Sequence, residues 1–290
     1  MVPGMAGAPR RPRSLRHRSP VSDQALTDRA NAAFWDELCG TSMAQVHGVT
    51  DSSPESLARF DRAYLDFYPY LSGYLPVEMT GERTLEIGLG YGTLGQLIAE
   101  RGADYHGLDI AEGPVAMMRE RLARLGVREP QQRVRVGSAL RIPHHDASFD
   151  RVVSVGALHH TGDLTGAVGE VRRVLRPGGS ALVMVYNRRS ARRAGLWLRG
   201  LPSRLRGRGA EHEAAVRRRY DHNSEGGEAP ATEFVTASQA RALFGGFDSV
   251  RVRRENFDHL RLGPWIARRE QLLGAPARLA GLDLYLTAVK

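Results

Sequence analysis

The chain has 290 residues and 42% hydrophobic content, room for one large α/β domain with additions, and no stretch reaches the roughly 18 uncharged apolar residues of a membrane span. Cys39 is the only cysteine, which excludes an internal disulfide, and the basic stretch Met1–Gln24 lacks the apolar run of a secretory signal, so a soluble, cytoplasmic protein is expected. The formal charge of +9 is concentrated between Arg188 and Arg219, where eleven arginines face only Glu211 and Glu213; the remainder is near neutral, which argues against a surface that coats nucleic acid uniformly.

Residues 1–24 are rich in Pro, Arg, Gly and Ser, and are expected to be a disordered basic tail. Helical periodicity begins near Thr27. Ala33, Phe34 and Leu38, then Leu57, Phe60, Tyr64, Phe67 and Leu71, recur at spacings of three and four, which predicts two amphipathic helices forming a cap over residues 25–78. Strands are predicted at Arg83–Leu89, Tyr105–Ile110, Val134–Ser138, Phe149–Val155 and Ser180–Tyr186. Helices are predicted between them at Leu94–Arg101, Val115–Leu125 and Leu164–Leu175. Strands alternating with helices imply a parallel sheet with right-handed crossovers. After Asn187 the alternation breaks into an arginine-rich insertion at about 188–235. A helix at Ser238–Phe244 and strands at Ser249–Arg254 and Leu282–Val289 complete a domain spanning 79–290.

The densest local signal is Glu86-Ile-Gly88-Leu-Gly90-Tyr-Gly92, where the first strand meets its helix. Glycines there allow a tight turn and close approach of a ligand, and open α/β sheets bind ligands just outside the carboxyl ends of their strands. Asp109 ends the second strand, where a carboxylate suits the two hydroxyls of a ribose. Gly90-Tyr-Gly92-Thr-Leu-Gly95 also satisfies the dinucleotide pattern G-x-G-x-x-G. Glu86 weighs against that reading, because a carboxylate sits badly beside a pyrophosphate and well beside an ammonium or sulfonium group.

These motifs resemble the class I S-adenosylmethionine-dependent methyltransferases, most of all the branch of small-molecule and quinone methyltransferases. Beside the acidic glycine loop and Asp109, the resemblance rests on Gly137–Pro143, Ser148-Phe-Asp150, Leu158-His-His160 and Leu175-Arg-Pro-Gly-Gly179, in the expected order. It implies a Rossmann-like, seven-stranded, mostly parallel sheet with helices on both faces and an antiparallel last strand. It implies S-adenosyl-L-methionine as cofactor, with Gly88, Gly90 and Gly92 along its amino-acid and ribose portion and Glu86 supporting that loop. Asp109 would take the ribose hydroxyls, Ile110 would pack on adenine, and Ser138 and Ala139 would sit at the adenine edge. Gly156 and Ala157 would approach the methionine end. Ser138 departs from the family, which commonly has an acidic residue there; a hydroxyl accepts the adenine amino hydrogen bond more weakly.

Methyl transfer needs a base only when the acceptor atom must lose a proton. His159 and His160 follow the fourth strand and are the candidates, as base or substrate contact, against a reading in which they shape the loop. Asn187, Tyr220 and His222 are candidate substrate contacts. No metal is expected, since the ten histidines show no H-x₃-H or Cys/His ligand spacing. The 188–219 segment, with Leu196, Trp197, Leu198, Leu201 and Leu205, reads as a basic amphipathic lid or as a docking surface for an acidic partner. The predicted activity is methyl transfer to an oxygen, nitrogen or activated carbon of a small or medium-sized biosynthetic molecule. The alternatives are an RNA or peptide/protein methyltransferase docking through 188–219, an NAD-dependent oxidoreductase, and a non-catalytic cofactor-binding regulator. The sequence leaves the oligomeric state open.

Overall fold

The computed structural model describes residues 20–37, 42–197, 216–223, 226–262 and 265–290. The expected tail lies outside them as far as residue 19, and so does the expected lid helix from 198 to 215; residues 191–197 at its start are helical.

Three helices precede the sheet: α1 (Pro20–Trp35), α2 (Ser42–Val46) and α3 (Pro54–Phe67). The first starts seven residues before the periodicity near Thr27 that announced it, so the reading of residues 20–24 as disordered is corrected. Its apolar and polar residues are too evenly mixed to mark a boundary. α3 has a defined start: Ser53 Oγ accepts the Ser56 amide at 3.3 Å and Pro54 occupies the first turn, where its missing N–H costs nothing.

The alternating region follows as β1 (Arg83–Ile87), α4 (Thr93–Glu100), β2 (Asp104–Asp109), α5 (Glu112–Arg124), α6 (Pro130–Arg133), β3 (Val134–Val136), β4 (Phe149–Val155), α7 (Leu164–Val174) and β5 (Leu175–Tyr186). Beyond the insertion come α8 (Ala237–Leu243), β6 (Ser249–Glu255), a hairpin of β7 (Leu260–Leu262) and β8 (Trp265–Ala267), and β9 (Asp283–Val289). The sheet has seven strands in the order β3-β2-β1-β4-β5-β9-β6, and β9 runs antiparallel to both neighbours. This is the Rossmann-like architecture expected.

Both faces of the sheet are covered, and the alternation within its strands divides the core. Val152, Val183, Leu284 and Leu286 face one apolar cluster; Val153, Leu182, Met184 and Tyr285 face the other. β5 starts five residues earlier than expected. Leu175 pairs with Phe149 and then Ser180 with Arg151, so the intervening Pro-Gly-Gly bulges from a strand it does not end. A third cluster of Ala44, Val49, Leu57, Phe60, Tyr91 and Met117 seats α2 and α3 on the glycine loop. Among the described residues no helix is long and apolar enough to cross a membrane.

Candidate functional site

β1 and β4 are neighbours whose crossovers leave in opposite directions, and the crevice beyond their carboxyl ends opens into a cavity of about 710 Å³. That is within the range of roughly 300–1,000 Å³ usual for small-molecule sites. Its floor is the end of β1 (Glu86–Gly88) with Leu89 and Gly90, the end of β2 (Asp109, Ile110), Gly137–Ala139 after β3, and Val155–Ala157 at the end of β4. Its roof is helical: Asn31 and Trp35 of α1, and Phe60, Tyr64 and Phe67 of α3, line it from above.

The glycine loop is built for close approach. Gly88 has φ +82°, and a Cβ there would lie 2.2 Å from the Ala157 Cβ, so β1 and the loop after β4 meet only because the side chain is missing. Gly90 has φ +49° and no atom within 4 Å of where its Cβ would stand, so its backbone faces open cavity. Gly92 departs from the expectation. It lies outside the cavity, begins α4 in the left-handed conformation, and packs where a Cβ would meet Arg121 Cδ at 2.8 Å. Gly95, the third glycine of the dinucleotide pattern, makes room for Glu86 and Tyr105.

Two carboxylates anchor the floor. Glu86 is buried; the Tyr105 hydroxyl donates to its Oε2 at 2.5 Å, and burial pushes its pKa up to about 8 against that hydrogen bond. Asp109 Oδ2 accepts the Leu89 amide at 2.7 Å and Oδ1 the Ala111 amide at 2.9 Å. Burial raises its pKa despite those amides. Asp109 therefore pins the glycine loop as well as facing the cavity. Ile110, Ser138, Ala139 and Gly156 all line the same floor.

The two histidines separate. His159 is fully buried beneath Tyr186, with ring centroids 4.1 Å apart, and does not line the cavity; burial holds its pKa well below 6.5. It fills core space, and the catalytic expectation for it is corrected. His160 lines the cavity. Its Nδ1 lies 2.8 Å from the Ala231 carbonyl, which can only accept, and 3.2 Å from the Thr232 hydroxyl, so in the neutral ring Nδ1 is the nitrogen that carries the proton and Nε2 the one that is free. Asn31 Nδ2 donates to the His160 carbonyl at 2.6 Å, which ties α1 to this loop.

Of the substrate candidates, Tyr220 lines the cavity, 4.9 Å from the Tyr186 ring. Asn187 does not. It is fully buried, its amide donates to the Gly281 carbonyl at 2.7 Å, and its oxygen accepts the Arg189 amide at 3.0 Å, so it fixes the turn after β5. His222 is exposed, bridges to Glu228, and lies outside the cavity as well. Each corrected residue adjoins one that does line it. Tyr186 precedes Asn187, and strand alternation turns the pair to opposite sides. Asp221 precedes His222; its Oδ1 accepts the Tyr186 hydroxyl at 2.9 Å, and burial raises its pKa. Asp283, at the start of β9, was also missed. It is buried in the cavity wall, accepts from Asn256 at 2.9 Å, and has a pKa pushed up to about 7, chiefly by burial. Among the described residues no group of three His, Cys, Asp or Glu is placed to hold a metal ion.

A doubly wound sheet with one antiparallel strand next to its edge, and a glycine-loop cavity at its switch point, defines the class I methyltransferase fold. Residues 85–183 match the model of a methyltransferase domain. The chain is 29% identical over 125 residues to a ubiquinone biosynthesis O-methyltransferase of Marinobacter nauticus, covering 42% of this chain and 52% of that protein. It is 30% identical over 151 residues to the 27-O-demethylrifamycin SV methyltransferase of Amycolatopsis mediterranei, covering 52% and 53%. The matched stretch spans about half the length of these relatives. The crystal structure of an S-adenosylmethionine-dependent methyltransferase from Thermotoga maritima shares the fold, with a TM-score of 0.52, 21% identity, and coverage of 79% of this chain and 90% of that one.

Proposed function

We propose that the protein is a cytoplasmic enzyme that methylates an oxygen, nitrogen or activated carbon of a small or medium-sized biosynthetic molecule. The observation that carries this reading is one cavity joining two kinds of wall. A side-chain-poor floor holds Glu86 and Asp109, and the facing walls hold Trp35, Tyr186, Tyr220 and His160. The Marinobacter relative, a ubiquinone biosynthesis O-methyltransferase, and the Amycolatopsis relative, a 27-O-demethylrifamycin SV methyltransferase, support a small acceptor.

The floor fits the cofactor. Gly90 leaves the space a ligand would fill, and Glu86 offers a buried carboxyl, which holds its proton up to about pH 8 and which a cationic group beside it would draw into its ionised form. Glu86, Gly88 and Gly90 would hold the amino-acid portion, Asp109 the ribose, and Ile110, Ser138 and Ala139 the adenine, with Gly156 at the reactive end. When bound, S-adenosylmethionine supplies a methyl group on a cationic sulfur that leaves readily. What remains for the chain is to position the acceptor, exclude water and take a proton where the acceptor carries one. His160 serves the last of these through Nε2. The N-terminal helices of residues 25–78 and the insertion of 188–235 serve as cap and lid.

Isothermal titration with S-adenosylhomocysteine and with NAD tests the assignment. Binding of S-adenosylhomocysteine and silence with NAD is expected; binding of NAD alone removes it.

A further inference from the structure

The walls of the cavity contain an electrostatic arrangement that the cofactor floor does not use. His160 Nε2 and Asp221 Oδ2 lie 3.6 Å apart, both buried, and neither has a hydrogen-bond partner among the described residues. In the neutral imidazole the proton sits on Nδ1 against the Ala231 carbonyl, and Nε2 presents a lone pair. Asp221 Oδ1 is committed to the Tyr186 hydroxyl, so Oδ2 is the free end of that carboxylate. Two acceptors thus face each other without a hydrogen between them, at a separation too long for a direct bond. Unmet buried acceptors are costly, and such a pair marks a place for a donor.

The number of hydrogens narrows the donor. An alcohol hydroxyl has one hydrogen and satisfies one acceptor, whereas a water, an amino group or an ammonium has two or three and satisfies both. The surroundings choose a cation among them. Trp35 lies 4.8 Å from the His160 ring, Tyr186 and Tyr220 continue that aromatic wall, and Asp283 adds a further carboxyl to the same cavity. The cations facing the cavity are Arg192, whose guanidinium is held by both oxygens of Asp258 at 2.6 and 2.7 Å, and Arg219.

Resting on the methyltransferase reading above, we propose that the methyl acceptor is an amine, its nitrogen received between His160 Nε2 and Asp221 Oδ2. The bound ammonium gives one proton to His160 Nε2, and the lone pair so freed forms the new nitrogen–carbon bond. The methyl–sulfur bond breaks with its electron pair going to sulfur. The charge that leaves the sulfonium reappears on the methylated nitrogen, and the proton rests on His160, facing the carboxylate of Asp221.

The test uses the full chain saturated with S-adenosylhomocysteine and two isosteric probes, 2-phenylethylamine and 2-phenylethanol, in parallel titrations at neutral pH. The amine is expected to bind at least tenfold more tightly than the alcohol. Asp221→Asn is expected to abolish that preference while S-adenosylhomocysteine affinity holds, which also shows that the variant folds. Equal affinity for the two probes, no measurable binding of the amine, or a preference that survives Asp221→Asn would each overturn the proposal. Failure of S-adenosylhomocysteine itself to bind is a separate outcome, and it removes the methyltransferase reading underneath.

Discussion

Glu86 and Asp109 end adjacent strands, and both are buried, yet their commitments differ. Asp109 spends both oxygens on loop amides, whereas Glu86 has one short bond from Tyr105. Asp109→Ala is therefore expected to weaken S-adenosylhomocysteine binding by about 1–3 kcal/mol in titration, through the ribose contact and the loosened loop together. Unchanged affinity would remove the ribose role. The raised pKa of Glu86 has a consequence for stability. The folded chain keeps a proton at Glu86 up to about pH 8, whereas the unfolded chain releases it near its ordinary value of 4.5. Between those values the native state binds more protons, so stability falls as pH rises, by at most about 1.4 kcal/mol per pH unit from this group. Asp283, with its pKa pushed up to about 7, acts in the same direction. Urea melts at pH 5 and pH 8 should show a smaller decline in Glu86→Gln than in the parent chain; parallel declines would mean that Glu86 is ionised in the fold.

Among the elements, α3 is held to the domain by a partly desolvated ion pair. Arg121 of α5 is buried, with Nη1 2.8 Å and Nη2 2.9 Å from the two oxygens of Asp61, and Thr93 donates to Asp61 at 2.6 Å. Asp61→Ala leaves a buried guanidinium without its carboxylate and should cost about 3 kcal/mol in chemical denaturation. A change below 0.5 kcal/mol would show that the clamp is idle.

The strands were legible because short valine-rich runs such as Phe149–Val155 sit between turn signals and are too short for helices, and their ends matched within two residues apart from the start of β5. The helix expected at Ser238–Phe244 runs Ala237–Leu243, one residue earlier at each end, with Thr236 as its cap. The β7–β8 hairpin was not legible, since strands of three residues are too short to show a period. The floor of the site was legible because its glycines and acids sit at fixed offsets from strand ends. The walls were not. Whether Tyr186 or Asn187, Asp221 or His222, faces the cavity turns on a one-residue phase, and only the packed chain sets it.

At the scale of the molecule, cap and sheet meet across the cavity. Asn31 and Gln24 of α1 donate to the carbonyls of His160 and Thr161 at 2.6 and 2.8 Å, and Phe60 of α3 stacks on Tyr91 with centroids 4.0 Å apart. These contacts are few and polar at α1 and richer at α3, so α1 should open locally at lower free energy than the sheet. A ligand filling a cavity with α1 and α3 for a roof and the glycine loop for a floor stabilises both layers at once. At a hundred times its dissociation constant it adds about 2.7 kcal/mol to whatever opening would release it. Hydrogen exchange followed by mass spectrometry should therefore show slowed exchange in Pro20–Trp35 and Pro54–Phe67, as well as in the loop after β1, when S-adenosylhomocysteine is added. Protection confined to the loop would mean that the helices close over the acceptor alone, and that the cofactor binds without them.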